Sequence, residues 1–204
     1  MFTPFLQGFA TGGSLIVAIG AQNAFVLSQG VKKNHHLLIA GICIICDAIF
    51  ISAGVMGLGT SIARSQWLSQ LATWGGAGFL FLYGLRSLRS ALKGGTLNTE
   101  DTVKLSVITA ITTTLAVTLL NPHFYLDTVV LLGSVSSKLY GQGRIAFCAG
   151  AVFASMVWFV SLSLGGQLLA PVFSKPRAWR FFDSIICIIM WAIAISLCVH
   201  SCTL

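Results

Sequence analysis

The chain has 204 residues, is 56% hydrophobic and 8% charged, and carries a formal net charge of +7 with a mean hydropathy of +0.90. A soluble fold of this length needs far more charge to cover its surface, so soluble enzymes and soluble binding modules are excluded and an all-α integral membrane protein is expected. The positive balance does not point to nucleic acid, because the basic residues lie in short connections between apolar runs, where topology rules place them.

The chain opens with MFTPFLQGFATGG, which lacks the basic start of a secretory signal and continues into a full-length apolar stretch. This segment is expected to stay on the protein. A spanning helix needs about 20 mostly apolar residues. Six stretches qualify, approximately 5–29, 37–60, 67–90, 105–135, 145–170 and 181–202.

The first stretch contains Gly12-Gly13 and then Gly20-Ala21-Gln22-Asn23, which puts two amides where apolar residues belong. Gly20 marks its predicted break. The fourth, LAVTLLNPHFYLDTVVLLG over residues 115–133, is interrupted by Asn121-Pro122, a histidine, a tyrosine and Asp127. Proline removes a backbone donor and clashes with the preceding turn, so a helix breaks or kinks at Pro122. In hydrocarbon, freed backbone groups are tolerated only where protein or a water-filled cavity satisfies them. The two interruptions therefore predict a site.

The connections after spans one, three and five hold Lys32, Lys33, Arg86, Arg89, Lys93, Lys104, Lys175, Arg177 and Arg180; the opposite side holds Arg64, Lys138 and Arg144. The richer side is assigned to the cytoplasm, leaving both termini outside. If the first stretch is re-entrant instead, five spans remain and the N-terminus moves inside. An internal repeat favours six. At one constant offset, Gly41, Phe50, Ser52 and Gly57 meet Gly150, Phe159, Ser161 and Gly166. The expected architecture is a single domain, 1–204, of two inverted three-helix repeats, 1–95 and 103–204, with interrupted first and fourth helices, as in many secondary transporters.

Three of the five acids lie within spans: Asp47, Asp127 and Asp183. A charge at the bilayer centre costs at least about 2.5–3.5 kcal/mol, which makes such residues functional candidates. Asp47, in ICIICDAIFIS, has no cation in its own helix; the bland alternative is a protonated packing residue. Asp127 lies about 9 Å of helix rise beyond Asn121, with His123 one turn earlier on the same face. A local His–Asp pair is its alternative reading. Asp183 follows Arg180 by one turn and is expected to form an interfacial ion pair with it.

Gln22, Asn23 and Asn121 offer amide groups near mid-membrane, either as interhelical glue or as ligands beside half-helix ends. N–H ends attract carboxylates and C=O ends attract cations. Both kinds of end with two aspartates suit a zwitterion carrying an additional positive charge. Tyr125, one turn from Asn121, is a candidate to line the same cavity or simply packs. The six cysteines lie almost wholly in apolar runs and are expected to be packing residues, Cys43-x-x-Cys46 included. No metal site and no cofactor is expected. His35 and His36 are read as loop and interface residues.

GAQNAFVLSQG in the first span and LLNPHFYLD in the fourth resemble the two signatures of the lysine exporter family of bacterial inner-membrane amino-acid effluxers. The resemblance runs through nearly the whole chain, including CDAIFISAG around Asp47 and TWGGAGFLFLYGLRSLR in the third span, and LAVTLLNPHFYLDTVVLLGS is similar to the arginine/lysine branch. Ala21 departs from it, because many relatives carry proline before the Gln-Asn pair. The resemblance implies multi-pass placement in the bacterial inner membrane and export of L-arginine, and of L-lysine with it. Composition and spacing reach only a transporter with a central acidic site.

Substrate binding is therefore assigned to Gln22, Asn23, Asp47, Asn121, Tyr125 and Asp127, the breaks to Gly20 and Pro122, and proton coupling to Asp47 and Asp127. The expected partners are the amino acid, protons and the lipid bilayer, and a homo-oligomer is compatible with the sequence. No G-x-x-x-x-G-K-[ST] loop is present to bind a nucleotide. Exporting a cation from an inside-negative cell opposes about 2.3 kcal/mol per 100 mV, so proton antiport is the expected driver. Two alternatives remain: an intramembrane thiol oxidoreductase using Cys43 and Cys46, and a passive channel.

Overall fold

The computed structural model describes residues 1–17, 20–57, 66–93, 105–171 and 176–202, and these are helical with short turns. Arg64, Lys104 and Lys175, and most of the long connection after residue 93, lie outside the described residues. The helices are α1 (Phe2–Ile16), α2 (Ala21–Val31), α3 (His36–Val55), α4 (Gln66–Lys93), α5 (Val107–Leu119), α6 (residues 122–136), α7 (Gln142–Leu169) and α8 (Pro176–Cys202). Within α6, a π-helical turn over Leu126–Leu131 separates Pro122–Tyr125 from Leu132–Ser136.

Among the described residues, α3 and α7 are each long and apolar enough to cross a membrane. The α1–α2 pair, bent by 81°, and the α5–α6 pair, bent by 69°, each pass the same test only when taken together. The reason is length. At about 1.5 Å of rise per residue, the 15 residues of α1 reach only about 22 Å, short of the roughly 30 Å hydrocarbon core.

Each break forms where the sequence weakens the helix. In the first, α1 ends at Ile16 and α2 restarts after Gly20, whose extended backbone (φ −136°, ψ 174°) serves as the N-cap without a side-chain cap. In the second, α5 stops at Leu119, and Pro122 is the first residue of α6. Proline suits that position because the first N–H groups of a helix have no intrahelical partner. Pro122 thus begins a helix rather than kinking a continuous one.

The broken helices are cradled crosswise. α1 and α2 pack on α7, α5 and α6 pack on α3, α3 and α7 pack on each other, and α4 packs along α8. Glycines allow the backbones to meet. A Cβ on Gly8 would overlap the Phe147 carbonyl, and one on Gly54 would lie 2.7 Å from the Thr128 carbonyl oxygen. Small residues at helix contacts are how membrane helices gain dispersion energy, since lipid offers no hydrophobic drive between them. The core falls into two clusters. The larger centres on Phe25, Ile39, Val117, Phe159 and Met190, and the smaller on Ile51, Leu132 and Phe147. Along the α4–α8 contact, Trp191 stacks on Phe81 with ring centroids 5.6 Å apart and donates its indole N–H to the Phe81 carbonyl at 3.2 Å.

Asp183 is 1% exposed, whereas Arg180, one turn earlier, is exposed. Asp183 also acts across the α2–α8 contact on Lys32, just beyond the end of α2. Burial pushes the Lys32 ammonium below its ordinary value; Asp183 draws it back up and Arg86 lowers it further.

Candidate functional site

A cavity of about 420 Å³ lies where the two broken helices meet α3 and α8. That volume falls within the range of small-molecule sites. The first break contributes Ile16, Gly20, Gln22 and Asn23; α3 contributes Asp47. The second break contributes Asn121, His123, Phe124 and Asp127 with Thr128 and Leu132, and α8 closes the wall with Ala192, Ile193 and Ser196.

At each break a side chain reaches back to the carbonyl that ends the preceding helix. Asn23 Nδ2 donates to the Ile16 carbonyl at 2.8 Å, and Tyr125 Oη donates to the Leu119 carbonyl at 2.7 Å. A carbonyl left without a donor costs about 1–3 kcal/mol when buried, so each bond lowers the cost of ending the helix at that point. The restarting ends differ. Asn121 Oδ1 accepts the His123 backbone N–H at 3.2 Å, a side-chain cap at the start of α6. α2 has no side-chain cap, and its start lines the cavity through Gly20 and Gln22, a position where the helix dipole favours an anion.

The two aspartates occupy different settings. Asp47 is 2% exposed, and its Oδ2 accepts a 2.6 Å hydrogen bond from Ser155 Oγ on α7. Asp127 is half-buried in the π-helical turn. Such single wide turns inside α-helices recur at functional sites. Gln22 Nε2 is buried beside the Cys43 thiol and has no partner in full hydrogen-bond geometry among the described residues. Among those residues no Lys or Arg lines the cavity. The wall therefore offers two carboxylates to cations, and a helix start without a side-chain cap together with the Gln22 amide to an anion.

Gln22, Asn23, Asp47, Asn121 and Asp127 were each expected at the site, and all five line this one cavity with Gly20. Tyr125 does not. Its hydroxyl is spent on the Leu119 carbonyl and its ring packs edge-on against Phe50 at 5.3 Å, so it braces the break instead of lining the cavity. His123 and Asp127, for which a local pair is the alternative to a functional role, both line the cavity. Thr128 and Ser196 escaped the sequence reading, as did Ser155 and Trp158 behind the wall. A lone hydroxyl in an apolar helix carries little signal because it can bond its own backbone. Cys43 and Cys46 are buried free thiols, and among the described residues no group of three His, Cys, Asp or Glu is arranged to hold a metal ion.

Residues 13–201 match the LysE type translocator family. The chain is 48% identical to a protein of Aeromonas salmonicida named as the amino-acid transporter YggA, covering 97% of this chain and 96% of that one. It is 40% identical to the arginine exporter protein ArgO of Salmonella typhimurium, covering 97% and 94%, and 41% identical to ArgO of Serratia proteamaculans, covering 97% of each. No solved structure matches the chain. With nearly its whole length matched, apolar helices long enough to cross a membrane and two broken helices meeting at a polar cavity, the chain is an integral membrane protein that belongs to the LysE type translocator family.

Proposed function

We propose that this protein exports basic L-amino acids, L-arginine and with it L-lysine, across the bacterial inner membrane in exchange for protons. The observation that carries the reading is the cavity, which gathers Asp47 and Asp127 from different helices with no Lys or Arg in its described wall. The substrate's guanidinium or ammonium and its α-amino group are assigned to the aspartates. Its carboxylate is assigned to the uncapped start of α2 and to Gln22 Nε2. Asn23 and Asn121 hold the two helix ends in place around it. The ArgO relatives support the substrate class.

Six spans in two inverted repeats are the architecture this function uses. α4 and α8, of 28 and 27 residues, have the length to add two spans to the four candidates. The crosswise packing supports the repeat: the first broken helix lies on α7 and the second on α3, as an exchange of halves about a two-fold axis requires. A single domain over 1–204 follows, with both termini outside.

An aspartate here is stable either protonated and neutral or ionised against a cationic side chain. The two states exclude each other, and that exclusion is sufficient for antiport. Arginine arriving from the cytoplasm displaces the proton, and its release outside lets a proton return. The test is counterflow of labelled arginine in vesicles holding purified protein. Lysine and canavanine are expected to compete, leucine and glutamate not. Equal competition by leucine overturns the basic-substrate reading. Uphill export by Asp47→Asn at the wild-type rate under an imposed pH gradient overturns the coupling role.

A further inference from the structure

No α7 residue is among those lining the cavity, yet one face of α7 holds two of the side chains that do. Ser155 Oγ donates to Asp47 Oδ2 at 2.6 Å, and Trp158 Nε1 donates to Asn23 Oδ1 at 3.2 Å. Residues three apart share a helix face, so α3 and the first break are tied to the same strip of α7. Asn23 in turn holds the Ile16 carbonyl at the end of α1.

A hydroxyl in an apolar helix ordinarily bonds the carbonyl one turn back. Thr114 and Thr128 do so here, to the Ala110 and Phe124 carbonyls at 2.6 Å each. The Ser155 hydroxyl, fully buried, is committed to Asp47 instead. A serine hydroxyl both donates and accepts. It donates to an ionised carboxylate and, after a rotation, accepts from a protonated one, so neither state of Asp47 is left with an unsatisfied buried group.

We infer that Ser155 is a positioning residue for proton-coupled transport: it holds Asp47 toward the cavity and favours the ionised form that receives a substrate cation. This rests on the reading of the cavity as a site for basic amino acids. Hydrogen bonds to charged groups are roughly twice as strong as neutral ones, so the ionised form gains more from Ser155 than the protonated form does. Among the described residues, the titratable side chains that interact with Asp47 or share its cavity are Cys43 and Cys46 on α3 and His123 and Asp127 on α6. α2 presents Gln22 and α8 presents Ser196, neither of which titrates. Trp158 acts on Asn23 and not on Asp47, which separates the two roles.

The experiment measures labelled-arginine binding to the full chain in lipid nanodiscs across a pH series, for wild type, Ser155→Ala, Ser155→Thr and Trp158→Phe. Ser155→Ala is expected to move the pH of half-maximal binding upward by about one unit, the scale of a lost hydrogen bond to a charged group. Ser155→Thr keeps the hydroxyl and is expected to restore the wild-type midpoint. Trp158→Phe should weaken binding several-fold with the midpoint in place. An unchanged midpoint in Ser155→Ala, or the same loss without a midpoint shift in all three variants, overturns the inference. Failure of the wild type to bind arginine at any pH overturns instead the functional reading on which it rests.

Discussion

Gly54 offers the sharpest link between packing and transport. A Cβ placed there would lie 2.7 Å from the Thr128 carbonyl oxygen, from Val129 Cα and from the Val129 carbonyl oxygen. All three are backbone atoms of α6 and cannot rotate away. Ordinary contact begins near 3.4 Å, so Gly54→Ala requires α6 to retreat from α3 by about 0.7 Å. Overpacking of this kind costs about 1–3 kcal/mol, partly offset by the roughly 1 kcal/mol that alanine gains over glycine in a helix. The variant should therefore insert and fold. Asp127 and Thr128 ride on the segment that moves, and both line the cavity. Displacement of a positioned group by about 1 Å is worth on the order of 100-fold in rate, and a loss of at least about tenfold in arginine counterflow is expected at normal membrane levels. Gly41→Ala, in the same helix with nothing within 4 Å of its Cβ position, should transport as wild type. If Gly54→Ala transports within about twofold of Gly41→Ala, the close α3–α6 approach does not set the site and the reasoning fails.

Asn121→Ala removes the cap on the His123 N–H, which should cost about 1 kcal/mol at the start of α6 and weaken arginine binding; Asn121→Ser, which can cap, should recover most of it, and equal binding by both variants would argue against a capping role. Tyr125→Phe strands the Leu119 carbonyl at a cost of about 1–3 kcal/mol. It should lower the melting temperature in detergent while leaving arginine affinity near wild type, and a selective loss of affinity would return Tyr125 to the cavity wall. Replacing Cys43 and Cys46 together with alanine should leave uphill arginine efflux intact, since both are buried free thiols; abolished efflux in a folded, inserted variant would revive the thiol reading.

What the sequence determined by itself was local. Composition dictated the membrane, because so few charges cannot cover a soluble surface. The interruptions were legible at Gly20 and at Asn121-Pro122 because a helix loses its own hydrogen bonds there whatever surrounds it. Asp47 and Asp127 stood out because an acid in hydrocarbon is costly anywhere along a span. Tertiary structure decided how each helix is rotated about its axis and which groups from distant segments share a space. That rotation turned Tyr125 away from the cavity to the Leu119 carbonyl and set Asp183 within electrostatic reach of Lys32, far from it in sequence. It also brought Ser155 to Asp47 and Trp158 to Asn23, contacts separated by 108 and 135 residues. A hydroxyl or an indole has no spacing rule that names a partner so far away. Its role is fixed only when the helices pack and each buried polar group must be satisfied by whatever lies within hydrogen-bond reach.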